Sequence, residues 1–373
     1  MKNTFVLLLI LFVSCKSHSD KKTETKDTEL EQLRTSIDSL FNSNIGENEP
    51  GAAILVSYNG QMIIGKGYGM RDLTKNQPIT KSTNMRMASV SKQFTALTIL
   101  KLVDDGKISL NDSVYSIFPI ETFKDGTTIE QLINHTSGKS DAEKAFFKEW
   151  DSTIIANNKN VLEWYSSENR TITKPGEKYQ YNNGIYEFIP CIVEKLSGQE
   201  FAEFAKKNIF NKAGMKKTNF FNLTKPIEIE ERAFCYEKDS LGNWKKMDGH
   251  FLNGLLGAGG LYTSVNDYFQ YDLALRNKTI FSKKTHELIF KPSSMNKKNG
   301  VDRYYAMGWG VTDSTATHTG GWFGTKTFTK RYLNKPLTIA IFMNRKTLST
   351  NDLVKKTDSL VLEYVEKQRQ QRI

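Results

Sequence analysis

Ser89 and Lys92 are the residues of this chain best arranged for chemistry. A hydroxyl and an amine in a Ser-x-x-Lys pair on the first turn of a helix lie on one face and within mutual reach. Serine is a weak nucleophile until a nearby base takes its proton, and a lysine in apolar surroundings can be that base. The run that follows, Phe94, Ala96, Leu97, Ile99, Leu100 and Val103, is apolar on nearly all sides. Such a helix is buried, and burial partly desolvates Lys92 and favours its neutral form. The helix start adds unpaired backbone N–H groups beside the same hydroxyl, which favour developing negative charge. Spacing alone does not select the pair. Ser19 and Lys22, and Ser294 and Lys297, repeat it without an apolar helical run behind them.

Two further stretches carry polar groups suited to the same site. Tyr181-Asn182-Asn183 follows a turn at Pro175-Gly176-Glu177, and His318-Thr319-Gly320-Gly321 leads into a strand pattern at 325–332. The elements that must position them are legible at both ends of the chain. Residues 29–41 place Leu30, Leu33, Ile37, Leu40 and Phe41 on one helical face. Strand patterns at 52–58 and 61–68 flank Asn59-Gly60, a strong hairpin signal. Strands at 325–332 and 337–343 meet at Asn334-Lys335-Pro336, and an amphipathic helix follows over about 351–366. Residues 88–300 are richer in helical patterns and loops. The expected fold is therefore α/β (α+β): an antiparallel sheet built from N- and C-terminal segments and flanked by helices, with a mainly helical lobe inserted between them.

The chain has 373 residues, 38% of them apolar and 25% charged, which suits a globular protein with a large core. Lys2 and the apolar stretch 5–13, ending at Ser14-Cys15, read as a secretory signal over 1–14, too short to span a membrane stably. A small residue before Cys15 resembles a bacterial lipobox, although Phe12 stands where Leu is usual. The expectation is lipidation of Cys15, a membrane anchor and export to the cell envelope, periplasm or outer surface. Residues 15–28 are polar and free of aromatics, as a tether would be, and 29–373 form the folded unit. Cys191 and Cys235 form one disulfide or remain separate buried thiols. No Cys/His cluster has metal-ligand spacing, so no metal and no cofactor are expected. The net charge of +11 comes from scattered lysines that alternate with acids, with no basic stripe backed by aromatics, which argues against nucleic acid.

In their order, these motifs resemble the serine β-lactamase and penicillin-binding-protein superfamily, nearest its class C β-lactamase-like branch of D,D-peptidases, D-aminopeptidases and esterases. Further stretches carry the resemblance: Met85-Arg86-Met87-Ala88 before the serine, His135-Thr136-Ser137-Gly138, Gly257-Ala258-Gly259-Gly260, and Tyr305-Ala306-Met307-Gly308-Trp309. The likeness spans about 30–345. It implies Ser89 as the acylated nucleophile, Lys92 as its proton acceptor and Tyr181 as a second acid/base, with the acylation base shared between Lys and Tyr in a way the sequence leaves open. It implies that Asn183 bonds the substrate amide and steadies Lys92, and that the N–H groups of Ser89 and Gly321 form an oxyanion hole. Gly320 and Gly321 would let substrate approach the backbone, and His318 would contact it. Many relatives have Lys at that place. A histidine, mostly neutral at pH 7, disfavours penicillin turnover and leaves room for esters, amides or D-amino-acid peptides.

His135 is a second candidate base, but the chain lacks a Gly-x-Ser-x-Gly elbow for a Ser/His/Asp arrangement, so a structural role is preferred. Trp322 and Phe323 are expected at the cleft, whereas Trp309 and Tyr262 read equally as core. The expected function is an exported serine hydrolase acting through a Ser89 acyl-enzyme on small-molecule or peptide substrates, with cell-wall D-amino-acid peptides among them. The alternatives are a β-lactamase, a carboxylesterase, or a non-catalytic envelope protein that binds wall peptide.

Overall fold

A computed structural model describes residues 18–298, 301–346 and 350–371. The leader and Cys15 lie outside the described residues. Helix α1 (His18–Asn42) begins inside the segment expected to serve as a tether and turns Ile37 and Phe41 inward. Strands β1 (Ala52–Tyr58) and β2 (Gln61–Tyr68) follow, joined where Asn59 and Gly60 both adopt left-handed φ, 51° and 74°. That geometry is what a two-residue hairpin requires and what Asn-Gly tolerates.

The chain then leaves the sheet. The helical lobe includes α2 (Ser91–Asp104), α3 (Ala142–Glu149), α4 (Asn183–Ser197) and α5 (Val265–Asn277). It returns through β3 (Ser294–Lys298), β4 (Val301–Ala306), β5 (Trp309–Val311), β6 (Thr315–Trp322), β7 (Thr325–Tyr332) and β8 (Leu337–Met343), and closes with α6 (Thr350–Gln370). The sheet runs β3-β4-β5-β6-β7-β8-β1-β2, antiparallel throughout. The first and last of these strands along the chain are therefore neighbours inside the sheet, with Ala52 opposite Met343 and β2 at the edge beyond.

β1 is buried along its whole length because both faces are covered. Side chains alternate across a strand, so Ala53 and Leu55 enter the core shared with the helical lobe. Ile54 and Val56 enter a second core under α1 and α6, with Ile339, Ile341, Val361 and Tyr364. The lobe is tied to the sheet by a buried polar cluster. The Asp272 carboxylate on α5 pairs with Arg331 and accepts hydrogen bonds from Thr338 (2.7 Å), Ser57 (2.8 Å) and Arg276 (3.1 Å).

Two expectations change. β3, the first of the returning strands, begins at 294, inside the stretch read as a helical lobe. The His318–Gly321 stretch does not merely lead into a strand; it lies inside β6, where Trp322 pairs with Thr325 at the start of β7.

Candidate active site

Ser89 sits in a single 3-10 turn (Ala88–Val90) that precedes α2, whereas Lys92 is in the first turn of α2 itself. The sequence placed both on one helical turn. The difference matters because Ala88 takes a left-handed φ of 46°, a strained conformation for a residue with a Cβ. The turn is held from outside. Met87 N–H donates to Leu261 O (2.9 Å), and Thr327 Oγ1 donates to Met87 O (2.8 Å). Gly320 on β6 packs against this same place: a Cβ there would lie 2.2 Å from Thr327 Oγ1 and 2.6 Å from Met87 O. The side of Gly320 on which a Cβ would stand therefore faces the protein and packs on the serine turn. Its neighbour Gly321 has open space where a Cβ would stand and lines the cavities beside Ser89.

Lys92 is fully buried. Its Nζ lies 2.7 Å from Asn183 Oδ1, 3.0 Å from Ala258 O and 3.3 Å from Ser89 Oγ. A neutral amine has two N–H donors and one lone pair. With two carbonyl acceptors taking the donors, the lone pair is left for the Ser89 hydroxyl. Once protonated, the ammonium has an acceptor for each of its three N–H groups.

Both carbonyls are placed by backbone devices. Asn183 opens α4, where the Asn182 side chain accepts from Ile185 N–H (2.9 Å) and Asp141 accepts from Gly184 N–H (2.8 Å). A Cβ at Gly184 would stand 2.3 Å from Ala142 N, so the glycine lets α4 close on the start of α3. Pro190, inside α4, has no N–H to give the Tyr186 carbonyl one turn back. Gly257, at φ 106°, packs on that carbonyl so closely that a Cβ would lie 2.1 Å from Tyr186 O. The approach brings the next residue, Ala258, to Lys92.

The Tyr181 ring centroid is 5.0 Å from Lys92 Nζ, and the ring lines a cavity of about 500 Å³ that also reaches Ser89, Tyr305 and His318. The ring nitrogens of His318 are engaged: Nδ1 lies 2.7 Å from Thr319 O, and Nε2 lies 3.0 Å from Tyr305 Oη. Nδ1 must donate to the carbonyl, so a neutral ring accepts the Tyr305 hydroxyl proton at Nε2. Tyr305, buried beside Tyr186, Tyr181 and Tyr179, is held phenolic well above the usual tyrosine range by desolvation and those neighbours.

His135 is buried against Tyr181, Tyr186 and Tyr305, with ring centroids at 4.4, 5.0 and 4.6 Å. Its Nδ1 accepts from Asn182 N–H (3.2 Å), and burial pushes it well below the usual histidine range. A neutral acceptor bonded to the backbone next to Tyr181 positions that tyrosine.

Trp322 lines a second cavity, of about 90 Å³, next to Ser89. Its Nε1 donates to Asn253 Oδ1 (2.7 Å), as does Arg86 Nη2 (2.7 Å), which fixes this wall. Phe323 stacks on His250 outside it, with centroids 4.2 Å apart. Trp309 and Tyr262 are buried, the core reading of the two offered. Cys191 and Cys235 are separate free thiols, and burial pushes Cys191 up to about 12.

Sequence reasoning missed Glu143 on α3 and Glu187 on α4, two buried carboxyls that line the smaller cavity. They are hydrogen bonded to each other, and Glu143 Oε1 accepts from Asn183 Nδ2 at 2.6 Å. Burial raises both carboxyls, Glu187 well above the carboxylate range, so the pair shares a proton. Residues 44 positions apart leave no local pattern.

A family model described as Beta-lactamase matches residues 37–361, and the chain belongs to that family. It is 29% identical over 328 residues to "Penicillin-binding protein 4*" of Bacillus subtilis (strain 168), covering 84% of this chain and 72% of the relative. It is 31% identical over 194 residues to "Protein flp" of Staphylococcus aureus (strain NCTC 8325), 49% of this chain and 38% of the relative. The chain thus spans well under half the length of that second relative. The fold is that of an octameric penicillin-binding protein homologue from Pyrococcus abyssi (TM-score 0.74, 22% identity, 93% and 78% of the two chains). It is equally that of a D-amino acid amidase from Ochrobactrum anthropi SV3 complexed with D-phenylalanine (TM-score 0.75, 19% identity, 90% and 99%). Family and site geometry together support a serine hydrolase.

Proposed function

We propose that this protein is an exported serine hydrolase that acts through a Ser89 acyl-enzyme on amide, peptide or ester substrates. The observation that carries the reading is the Lys92 amine 3.3 Å from Ser89 Oγ, its two N–H donors taken by Asn183 Oδ1 and Ala258 O. Geometry is the first requirement of a general base, and Lys92 meets it. Lys92 takes the Ser89 proton as Oγ attacks the substrate carbonyl. The N–H groups of Ser89 and Gly321 stabilise the oxyanion, a contribution of about 3–4 kcal/mol per donor in acyl-transfer enzymes. Tyr181 passes a proton to the leaving group and takes one from the water that attacks the acyl-enzyme.

The ring nitrogens of His318, held by Thr319 O and Tyr305 Oη, do not supply the permanent cation a lysine gives there. That supports amides, D-amino-acid peptides and esters over β-lactams. Likeness to a protein named as penicillin-binding and to a D-amino acid amidase supports cell-wall D-amino-acid peptides as the natural class. The leader and Cys15 support export and a lipid anchor at the envelope membrane. Among the described residues no helix is long and apolar enough to cross a membrane.

Hydrolysis of D-amino-acid amides, p-nitrophenyl esters and a chromogenic cephalosporin by the wild-type chain and Ser89→Ala tests the reading. Amide or ester turnover abolished by Ser89→Ala is the expected result. Turnover that survives the substitution, or none on any class from a folded protein, overturns it.

A further inference from the structure

Behind the serine and lysine the polar groups continue in one line. Ser89 Oγ faces Lys92 Nζ, Lys92 donates to Asn183 Oδ1, and Asn183 Nδ2 donates to Glu143 Oε1 at 2.6 Å. Glu143 meets Glu187, and the other Glu187 oxygen, Oε2, is buried with no hydrogen-bond partner among the described residues. Two buried carboxyls in hydrogen-bond contact must share a proton, because like charges so close cannot both ionise.

We propose that Glu143 is a positioning residue of the hydrolytic site, and that the Glu143–Glu187 pair gives Lys92 a single counter-charge through the Asn183 amide. The proposal rests on the reading of Ser89 and Lys92 given above. An amide side chain has two nearly isosteric orientations. A carboxylate on its far side accepts only from nitrogen, so Glu143 holds Asn183 with the carbonyl toward Lys92. The arrangement is the lysine counterpart of a carboxylate behind a catalytic histidine: it orients the base and stabilises the cation formed when the base takes the serine proton. The proton shared by the pair limits its negative charge to one. Carboxylates on both would bury an excess anion beside Asp141, which caps α4.

The groups facing Lys92 from every packed element are few. Tyr181 and Tyr186 present ring faces at 5.0 and 5.4 Å. His135, neutral by burial, lies behind Tyr181. From α3 and α4 come Glu143 and Glu187, with Asp141 beyond them, and Arg86 lines the far wall of the same cavity. The negative charge nearest in hydrogen-bond connectivity is therefore that of Glu143.

The test is the rate of Ser89 phosphonylation by a fluorophosphonate, read as intact mass across pH 5–10, on the full chain. In Glu143→Gln the neutral amine is reached at lower pH, so the rising limb moves down by about one unit, and the plateau falls roughly tenfold because the new cation loses its counter-charge. Glu143→Asp, which keeps the charge, brings the limb back toward the wild-type position. Superimposed limbs for wild type and Glu143→Gln overturn the proposal. So does a Glu143→Gln effect confined to KM for amine-bearing substrates, which would make the carboxylate a reader of substrate cation. A wild-type chain that takes no adduct removes the reading of Ser89 itself; adducts with unmoved limbs remove the counter-charge alone.

Discussion

Gly320 and Gly321 are adjacent on β6 and face opposite ways, so alanine at each should fail differently. Neither has the left-handed φ that only glycine adopts readily, so space alone decides the outcome. At Gly320 a Cβ would stand 2.2 Å from Thr327 Oγ1 and 2.6 Å from Met87 O, against ordinary contacts of 3.4 Å and more. One of β6, β7 or the serine turn must then move by about 1 Å. Overpacking of that kind costs about 1–3 kcal/mol, and loss of the Thr327–Met87 hydrogen bond adds about 1 kcal/mol. In a domain of this size that amounts to a fall of about 3–6 °C in Tm, with a loss of activity because Met87 precedes the strained Ala88 turn. At Gly321 the Cβ enters open space on the substrate side. Gly321→Ala should unfold within about 2 °C of wild type while kcat/KM falls at least tenfold, roughly 1.4 kcal/mol of lost transition-state contact. Thermal melts and initial rates on a p-nitrophenyl ester measure both. A Gly320→Ala protein as stable as wild type, or a fully active Gly321→Ala, would refute the assignment of the two faces.

Three other substitutions probe the frame and the rim of the site. Asp272→Ala leaves the buried Arg331 without its carboxylate and should cost about 3–5 kcal/mol, read by chemical denaturation. Buried neutral His135 binds its proton below the usual histidine value, so its share of stability is present above about 6.5 and is lost as pH falls, at up to about 1.4 kcal/mol per unit. His135→Asn, which tolerates the φ of 60°, should flatten that acid-side slope; an unchanged slope contradicts the neutral assignment. His318→Lys restores a permanent cation and should raise kcat/KM about tenfold for substrates bearing a carboxylate, relative to analogues without one. No gain in a folded variant removes carboxylate recognition from position 318.

The parts of the fold that could be read were those where one physical signal dominates. Asn59-Gly60 between two strand-forming runs gives β1 and β2 their bounds, and Asn334-Lys335-Pro336 between two more gives β7 and β8 theirs. β3, β4 and β5 are short and interrupted by turns such as Met307-Gly308, both at left-handed φ, so alternation never builds up. α1 extends beyond its apolar face because a polar segment rich in Lys and Glu has helix propensity without amphipathicity. In the site, Ser89, Lys92, Tyr181 and Asn183 converge as their motifs imply. Ala258 contributes a backbone carbonyl, which any residue would carry, and the packing of Gly320 on the serine turn has no local signal. Glu143 and Glu187 meet through the packing of α3 on α4, a tertiary event that neither segment announces.

The most direct test of the account is the intact mass of the full chain after a fluorophosphonate probe, alongside Ser89→Ala and Lys92→Met. One adduct on wild type, none on Ser89→Ala and a reaction slowed at least a hundredfold in Lys92→Met is the predicted result, on the scale general-base catalysis contributes. An adduct that persists in Ser89→Ala, or no adduct on folded wild-type protein, would contradict a lysine-activated Ser89.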